Sequence, residues 1–228
     1  MNNTIAEKLE RIAKNEQLVY NAGYEKGKTE AEEGNTSAAY EQGVADGKQA
    51  EYHAFWDVFQ DYGEPKNYAY AFAYSAFTDE NYNPKYPIRC LSATAMSGNY
   101  MFNYSKITNT KVDIICGNNH AMTGAFSNSK IEIIPKFVVL ETNKLTNTFQ
   151  NCTALKNITI EGVIANNISF AESSLLSKES IENIISCLSS TTSGLTVTLS
   201  KTAKQNAFTD EEWATLIATK SNWTISLA

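Results

Sequence analysis

The sequence predicts an α+β chain, in which an N-terminal α-helical, coiled-coil-like segment precedes a β-rich repetitive body that closes with an α/β cap. An apolar stripe near the start has coiled-coil spacing, phenylalanines recur at intervals of 24, 23 and 21 residues ahead of short alternating strands, and helical and strand patterns alternate at the end. The predicted regions are a helical oligomerisation or anchoring segment at 1–62, an aromatic N-terminal cap of the body at 63–100, the repeats at 101–172 and a strand–helix–strand cap at 173–228.

The net charge of the chain comes from its first part. The 228 residues carry a net charge of −6, and residues 1–62, with twelve acidic and six basic side chains, account for all of it. The rest of the chain is neutral, with thirteen side chains of each sign. This difference predicts a domain boundary near Gly63–Pro65.

The composition argues against several classes of protein. An acidic chain with dispersed basic residues is a poor candidate for binding nucleic acid, because neutralisation of phosphates supplies most of that affinity; a basic patch made only by folding is the alternative. No stretch approaches the roughly 20 apolar residues of a membrane span, and the first residues lack the apolar core of a secretory signal. With two histidines and no CxxC pair, we expect no metal and no cofactor, and we expect the four cysteines to be buried thiols.

The first residues predict a helix that self-associates. The side chains at the coiled-coil positions follow a 4-3-4-3 spacing, with one polar residue among them. They are Ile5, Leu9, Ile12, Glu16 and Val19. Because the stripe spans barely three heptads, a short amphipathic helix that packs on its own chain is the alternative.

A true internal repeat follows this stripe. The segments YNAGYEKGK (20–28) and YEQGVADGK (40–48) both read Tyr-x-x-Gly-x-x-x-Gly-Lys. Each glycine pair lies four residues apart, on one face of a helix, and would allow a neighbouring helix to approach closely. A flexible tether is the alternative, since glycine inside a helix is unfavourable. The expected assembly is a trimer, and the glycines assigned to its interface are Gly23, Gly27, Gly43 and Gly47.

The body repeats with the period of a leucine-rich-repeat solenoid. Each of three phenylalanines precedes a run of aliphatic residues, and a period of 20–29 residues with short strands is typical of this architecture. One such unit cannot bury its apolar side alone, so the units are expected to stack. The residues expected in the solenoid core are Phe102, Phe126, Phe149, Cys152, Leu155, Ile158 and Ile160. A β-sandwich of unrelated strands is the alternative.

The end of the chain predicts a cap for this stack. Residues 175–188 have helical spacing with Ser177 as N-cap, 194–200 alternates as a strand, 208–220 predicts a helix capped by Thr209, and NWTISL predicts a last strand. A solenoid needs such a cap, because its last unit otherwise exposes an apolar face.

Several segments of the chain resemble a known family. FQNCTALKNITIEG (149–162) resembles the leucine-rich repeats of the BspA type, whose recurrent core is F-x-x-C-x-x-L-x-x-I-x-I. The C-terminal segment, the doubled glycine motif and FWDVFQDYG (55–63) are similar to such proteins in phages and prophages of Gram-positive gut bacteria. The units at Phe102 and Phe126 depart from the motif, since they lack its Cys and regular Leu. The resemblance implies structural or adhesive proteins of virions and brings no catalytic residues.

We therefore expect a non-enzymatic structural component of a virion, in the tail, baseplate or fibre. Its partners would be other virion proteins, further copies of itself and a glycan or protein of the host surface, and it would be made in the host cytoplasm without a signal peptide. A glycan- or protein-binding adhesin module of a bacterial surface is the alternative, with the aromatic run Tyr68 to Tyr86 either stacking on sugars or covering the first unit. A Cys116–His120 pair is the enzymatic alternative.

Overall fold

The computed structural model describes residues 69, 71–74, 77–80, 82–84, 86–90 and 98–228. Contacts between Cα atoms divide the chain between Gly63 and Glu64, and the described residues all belong to the second unit, Glu64–Ala228. The predicted helix and the repeated glycine motifs lie outside the described residues.

The described residues contain seven strands and three helices, which confirms a mixed α+β chain with parallel strands. In chain order these elements are β1 (Ile88–Cys90), β2 (Ile114–Cys116), β3 (Ile133–Val139), β4 (Asn157–Gly162), β5 (Ile168–Phe170), α1 (Lys178–Ser186), β6 (Leu195–Leu199), α2 (Lys201–Ala207), α3 (Asp210–Ala218) and β7 (Trp223–Leu227).

The strands form two parallel sheets, of order β1–β2–β3–β4 and β5–β6–β7. In both sheets each strand pairs with the next one, so the chain returns to the same side after every connection. The inward residues are in register across the first sheet: Ile88 pairs with Ile114, Ile114 with Phe137, and Phe137 with Ile160. We call each such circuit of the chain a layer.

Tight turns with left-handed backbone form the other side of the first four layers. In the layers of Phe102, Phe126 and Phe149 each turn has two positions with a positive φ, which are Tyr100, Gly124 and Asn147 and then Tyr104, Asn128 and Asn151; Tyr74 has the second position in the first layer. Backbone bonds join the turns: Phe102 N–H donates to Ala125 C=O at 2.6 Å, and Phe126 N–H to Thr148 C=O at 2.9 Å. Turns therefore continue the hydrogen-bonded ladder where no strand forms.

One phenylalanine from each layer forms a column through the interior. The rings of Phe102 and Phe126 lie 5.5 Å apart at 7°, and those of Phe126 and Phe149 lie 5.3 Å apart at 8°. The column extends to Phe72 at 4.8 Å on one side and to Phe170 at 4.6 Å on the other. All five are fully buried, and the remaining residues assigned to the solenoid core are at most 2% exposed: Cys152, Leu155, Ile158 and Ile160.

A buried serine or cysteine lies three residues after each phenylalanine from Phe102 onward. These residues are Ser105, Ser129, Cys152 and Ser173. The backbone N–H of each donates to the C=O of the phenylalanine before it, at 3.0–3.3 Å. The units at Phe102 and Phe126 therefore replace the Cys of the motif by Ser in the same place. Buried Ile107 and Ile131 follow these serines, as Leu155 follows Cys152.

The first layer is closed by aromatic packing. Phe77 and Tyr82 meet the ring of Phe72 edge-on, at 5.8 and 5.5 Å. Asp79 ties this cap to the next layer, because it accepts from the N–H and the hydroxyl of Thr108 at 2.8 and 2.5 Å. Part of the aromatic run thus covers the first unit of the stack.

After β4 the strands change sides: they lie where the earlier layers have turns, and helices take the side where the earlier layers have strands. The sheet β5–β7 extends the turn side, where Phe170 pairs with Leu199 and Leu199 with Leu227. Helix α1 takes the place of a fifth strand beside β4. Ser177 caps α1, and Thr209 caps α3 in a capping box with Glu212. The short helix α2 after β6 is an element that the sequence pattern does not predict.

Candidate binding surface

The cysteines of the body serve packing. Cys90 and Cys116 pair in register on β1 and β2, and both are buried. Burial raises the pKa of Cys90 to about 12, and it also raises the pKa of Cys116 well above its usual value, with a further contribution from Cys90. A thiol is nucleophilic as its thiolate, so this environment is unsuited to the chemistry considered for Cys116 and His120.

Cys152 is also a buried thiol with a raised pKa. It is 1% exposed, and its thiol donates to Phe126 C=O at 2.9 Å. Burial raises its pKa to about 12. The cysteine of the repeat motif therefore completes the hydrogen bonding of the interior. No group of three or more His, Cys, Asp or Glu that could hold a metal ion occurs among the described residues.

The solvent face of the first sheet carries charges of both signs. Lys136 Nζ lies 3.0 Å from Glu161 Oε2 and 3.7 Å from Asp113 Oδ2, so this lysine of β3 bridges a residue of β4 and the residue before β2. The hydrogen bond and charge of Glu161, followed by the charge of Asp113, raise the pKa of Lys136. Because opposite charges are paired here, the face is suited to a neutral polar partner more than to a polyanion.

A groove of about 350 Å³ opens where this sheet meets α1. It lies beside a bulge in β3, where the register with β4 shifts between Ile134 and Phe137. Pro135, which lacks an N–H, lies in that bulge. Aliphatic and polar groups alternate around the groove, which is lined by Ile133, Ile134, Pro135, Asn157, Ile158, Thr159, Ser177, Glu179, Ser180 and Asn183. Its volume is that of a small binding pocket.

Helix α1 closes the edge of β4 with its side chains. Ser180 Oγ accepts from Ile158 N–H at 2.9 Å, and Asn183 both accepts from Ile160 N–H at 2.6 Å and donates to Ile160 C=O at 3.1 Å. Three backbone groups at the edge of β4 are therefore occupied, and a ligand in the groove would meet the side chains of α1 there. Sequence reasoning missed this role, although Ser180 and Asn183 have the i, i+3 spacing of one helix face.

Exposed tyrosines mark the opposite, turn side. Tyr74 and Tyr104 are 70% and 49% exposed, and their rings stack at 4.7 Å and 19°. Asn128 and Asn151 occupy the same turn position in the next two layers, and Asn151 Nδ2 donates to Asn128 Oδ1 at 2.9 Å. Since Tyr74 and Tyr104 cover one face of each other, each ring offers a sugar at most its other face, its edge and its hydroxyl. Tyr82, from the same aromatic run, is fully buried.

The residues assigned to an oligomer interface lie outside the described residues, so the structure brings none of them together. They are Ile5, Leu9, Ile12, Val19, Gly23, Gly27, Gly43 and Gly47. In the part of the chain that is described, no helix is both long enough and apolar enough to cross a membrane.

Comparison of the chain with protein-family models, with curated proteins and with solved structures found no significant match.

Proposed function

We propose that the layers form a short leucine-rich-repeat solenoid of the BspA type, and that the chain is a non-enzymatic structural component of a phage virion. In this proposal residues 1–62 assemble the chain and attach it in the tail, baseplate or fibre. The solenoid then projects outward and contacts a glycan or protein of the host surface.

The observation that carries the proposal is the continuous phenylalanine column. Five rings from Phe72 to Phe170 stack at 4.6–5.5 Å, and backbone bonds run from layer to layer beside them. Each layer thus rests on its two neighbours, which is how solenoid repeats are stabilised. A stack of this kind is rigid along its axis and tolerates changes on its surface, as a display element requires.

The exposed features favour contact with a neutral polar partner. The solvent face of the first sheet pairs its charges around Lys136, and the groove beside it combines aliphatic walls with amide and hydroxyl groups. Amides and hydroxyls beside apolar surface suit the polar edges and apolar faces of a sugar or a peptide. We therefore place the host contact on this face and not on the tyrosine pair.

Particle purification tests the virion assignment. In the strain that encodes the chain, we expect an antibody against the body to label particles after induction and to follow them through a density gradient. Leu9→Gln with Ile12→Gln should leave the chain in the soluble lysate, because these changes remove apolar side chains from the predicted helix. Glu10→Gln with Lys14→Gln, off the stripe, is the matched control.

Two outcomes would contradict the proposal. Labelling of the surface of uninduced cells would favour the adhesin alternative. A chain that stays in the soluble fraction while intact particles sediment would exclude a virion component.

A further inference from the structure

The last strand of the second sheet leaves backbone groups open. Ala228 N–H donates to Leu199 C=O, and Ala228 C=O accepts from Lys201 N–H, so the even-numbered residues of β7 point their backbone groups at β6. The N–H and C=O of Ile225 and Leu227 therefore point away from the sheet. Among the described residues no group bonds to them.

The apolar column is also open at this end. Phe170 and Leu199 are fully buried, whereas Leu227, which pairs with Leu199, is 37% exposed. The side chain of Ile225, on the same face of β7, is part-exposed. Both the ladder and the core thus continue to the surface at β7.

Other parts of the body show how this chain protects a strand edge. At β4, Ser180 and Asn183 of α1 occupy the edge groups. At β1, the strand has three residues, of which Arg89 is charged, and Pro87 precedes it. In contrast β7 has five residues, with no charge, no proline and no bulge. Such an edge is a template for pairing with another strand.

We propose that β7 is the pairing surface for a second copy of this chain, in an antiparallel arrangement about a two-fold axis at Ser226. In this register Ile225 and Leu227 of one copy face Leu227 and Ile225 of the other. Each pair exchanges two hydrogen bonds, so one contact satisfies all eight open groups.

Side-chain chemistry favours a second copy as the occupant. The two-fold axis sets Leu227 of each copy beside Ile225 of the other, which covers the open end of both columns. Because β7 carries no charged side chain, two identical strands meet without repulsion between their side chains. A single strand pair buries less than the roughly 1,000 Å² expected of a stable interface, so the contact is weak and would add to the assembly that the proposed function assigns to residues 1–62.

Disulfide trapping in the full-length chain tests this geometry. At the axis Ser226 faces its own copy as a non-hydrogen-bonded pair, with Cα atoms about 4.5 Å apart, within the range that a disulfide spans. Under mild oxidation the Ser226→Cys variant should form a linked dimer. The matched control is Thr224→Cys, on the same face of β7, whose copies lie about 13 Å apart in this register and should give about tenfold less dimer.

A second substitution separates pairing from random collision. Ile225→Pro removes an outward N–H and keeps the bonds to β6, so it should abolish the linked dimer in the Ser226→Cys background. The unfolding curves of the variants must match that of the wild type. Oxidation of the wild type, which has four cysteines of its own, gives the background level of linked dimer. Three results would overturn the proposal. They are equal linkage at positions 224 and 226, linkage that survives Ile225→Pro, and absence of linkage in a folded Ser226→Cys variant.

Discussion

The layers before and after Gly162 share one interior column and build it from different backbone. Up to β4, the column side consists of turns with left-handed residues, and the opposite side is a parallel sheet. After β4, the column side is the sheet β5–β7, and helices α1 and α3 lie on the other side, joined by Lys178 and Glu212 at 2.7 Å. The position of a large apolar side chain is kept, while the backbone that carries it changes.

Local sequence explains the exchange. In the layers of Phe126 and Phe149 the left-handed positions hold Gly124, Asn128, Asn147 and Asn151, the residue types that best tolerate a positive φ, whereas the layer of Phe102 has Tyr100 and Tyr104 at these positions. Around Leu199 the segment LTVTL has no such residue and alternates β-branched side chains, which favours extended backbone. The comparison teaches that the column fixes the layer spacing and that neighbouring residues choose turn or strand.

The largest effect that we expect comes from removing a ring in the middle of the column. Phe126 stacks on Phe102 and Phe149 and meets Phe137 edge-on at 5.7 Å. Phe126→Ala should lower the free energy of unfolding by about 3–5 kcal/mol, through lost burial and the cavity left behind. Tyr104→Ala, which removes a half-exposed ring, should cost less than about 1 kcal/mol. Chemical denaturation measures both, and equal losses would contradict a column that carries the stability of the first region.

Two glycines, one at the boundary between the regions and one inside the second region, sharpen the comparison. Gly162 ends β4 with a φ of +105°, and an added Cβ would lie 1.9 Å from Val139 C=O. Gly194 precedes β6 with a φ of +76° and open space around it. Gly162→Ala should therefore destabilise by about 3 kcal/mol, and Gly194→Ala, which meets only backbone strain, by about 1 kcal/mol. Thermal unfolding should rank them in this order; the reverse order would show that β4 does not approach β3 so closely.

The closure of the β4 edge by α1 should contribute less to the free energy of unfolding than the phenylalanine column does. Asn183→Ala leaves the N–H of Ile160 without its side-chain partner and removes one of two side-chain donors to its C=O, the other being the Cys187 thiol at 3.3 Å. The change should cost about 1–3 kcal/mol. Glu182→Ala, exposed on the same helix, controls for helix propensity and should be nearly neutral. Hydrogen exchange should show faster exchange of Ile160 N–H in Asn183→Ala alone. Unchanged protection would mean that α1 does not close this edge.

The smallest effect concerns pH at the first layer. Burial opposes ionisation of Asp79, but hydrogen bonds from Thr108 and Asn109 and the charge of Lys111 outweigh it and lower its pKa below the ordinary 3.8. A lowered pKa means that the ionised carboxylate stabilises the fold above about pH 4, and that this contribution is lost as the pH falls through the folded-state value. Asp79→Asn should flatten the acid limb of a stability–pH curve. Glu80→Gln, at an exposed neighbour, should leave it unchanged, and an equal flattening would contradict the assignment.

The repeat and the order of the C-terminal elements could be predicted, because large apolar residues recur at a fixed interval and Ser177 and Thr209 are strong caps. The equivalence of Ser105 and Ser129 with Cys152 could not. A serine usually indicates the surface, and only the layered backbone shows that these serines are buried. Helix α2 was missed because its seven residues are mostly polar.

The candidate binding surface was less accessible to sequence reasoning. The groove depends on residues from β3, β4 and α1, which the fold brings together over more than 40 positions. The sequence raises the alternative of tyrosines exposed to sugars but does not predict that two of them stack on each other, which reduces the ring faces available to a sugar. Local patterns identify what a segment buries, whereas shared surfaces depend on register between layers.

The backbone bonds between successive turns have a consequence for how the protein is made. The N–H of Phe102 finds its acceptor in Ala125 and that of Phe126 in Thr148, so each circuit is completed by the stretch translated just after it. At about 5–20 residues per second, a ribosome supplies that stretch within about 1–5 s. The body can thus assemble one circuit at a time during translation, so that a nascent chain exposes the unpaired backbone groups of its latest circuit until the next one is made.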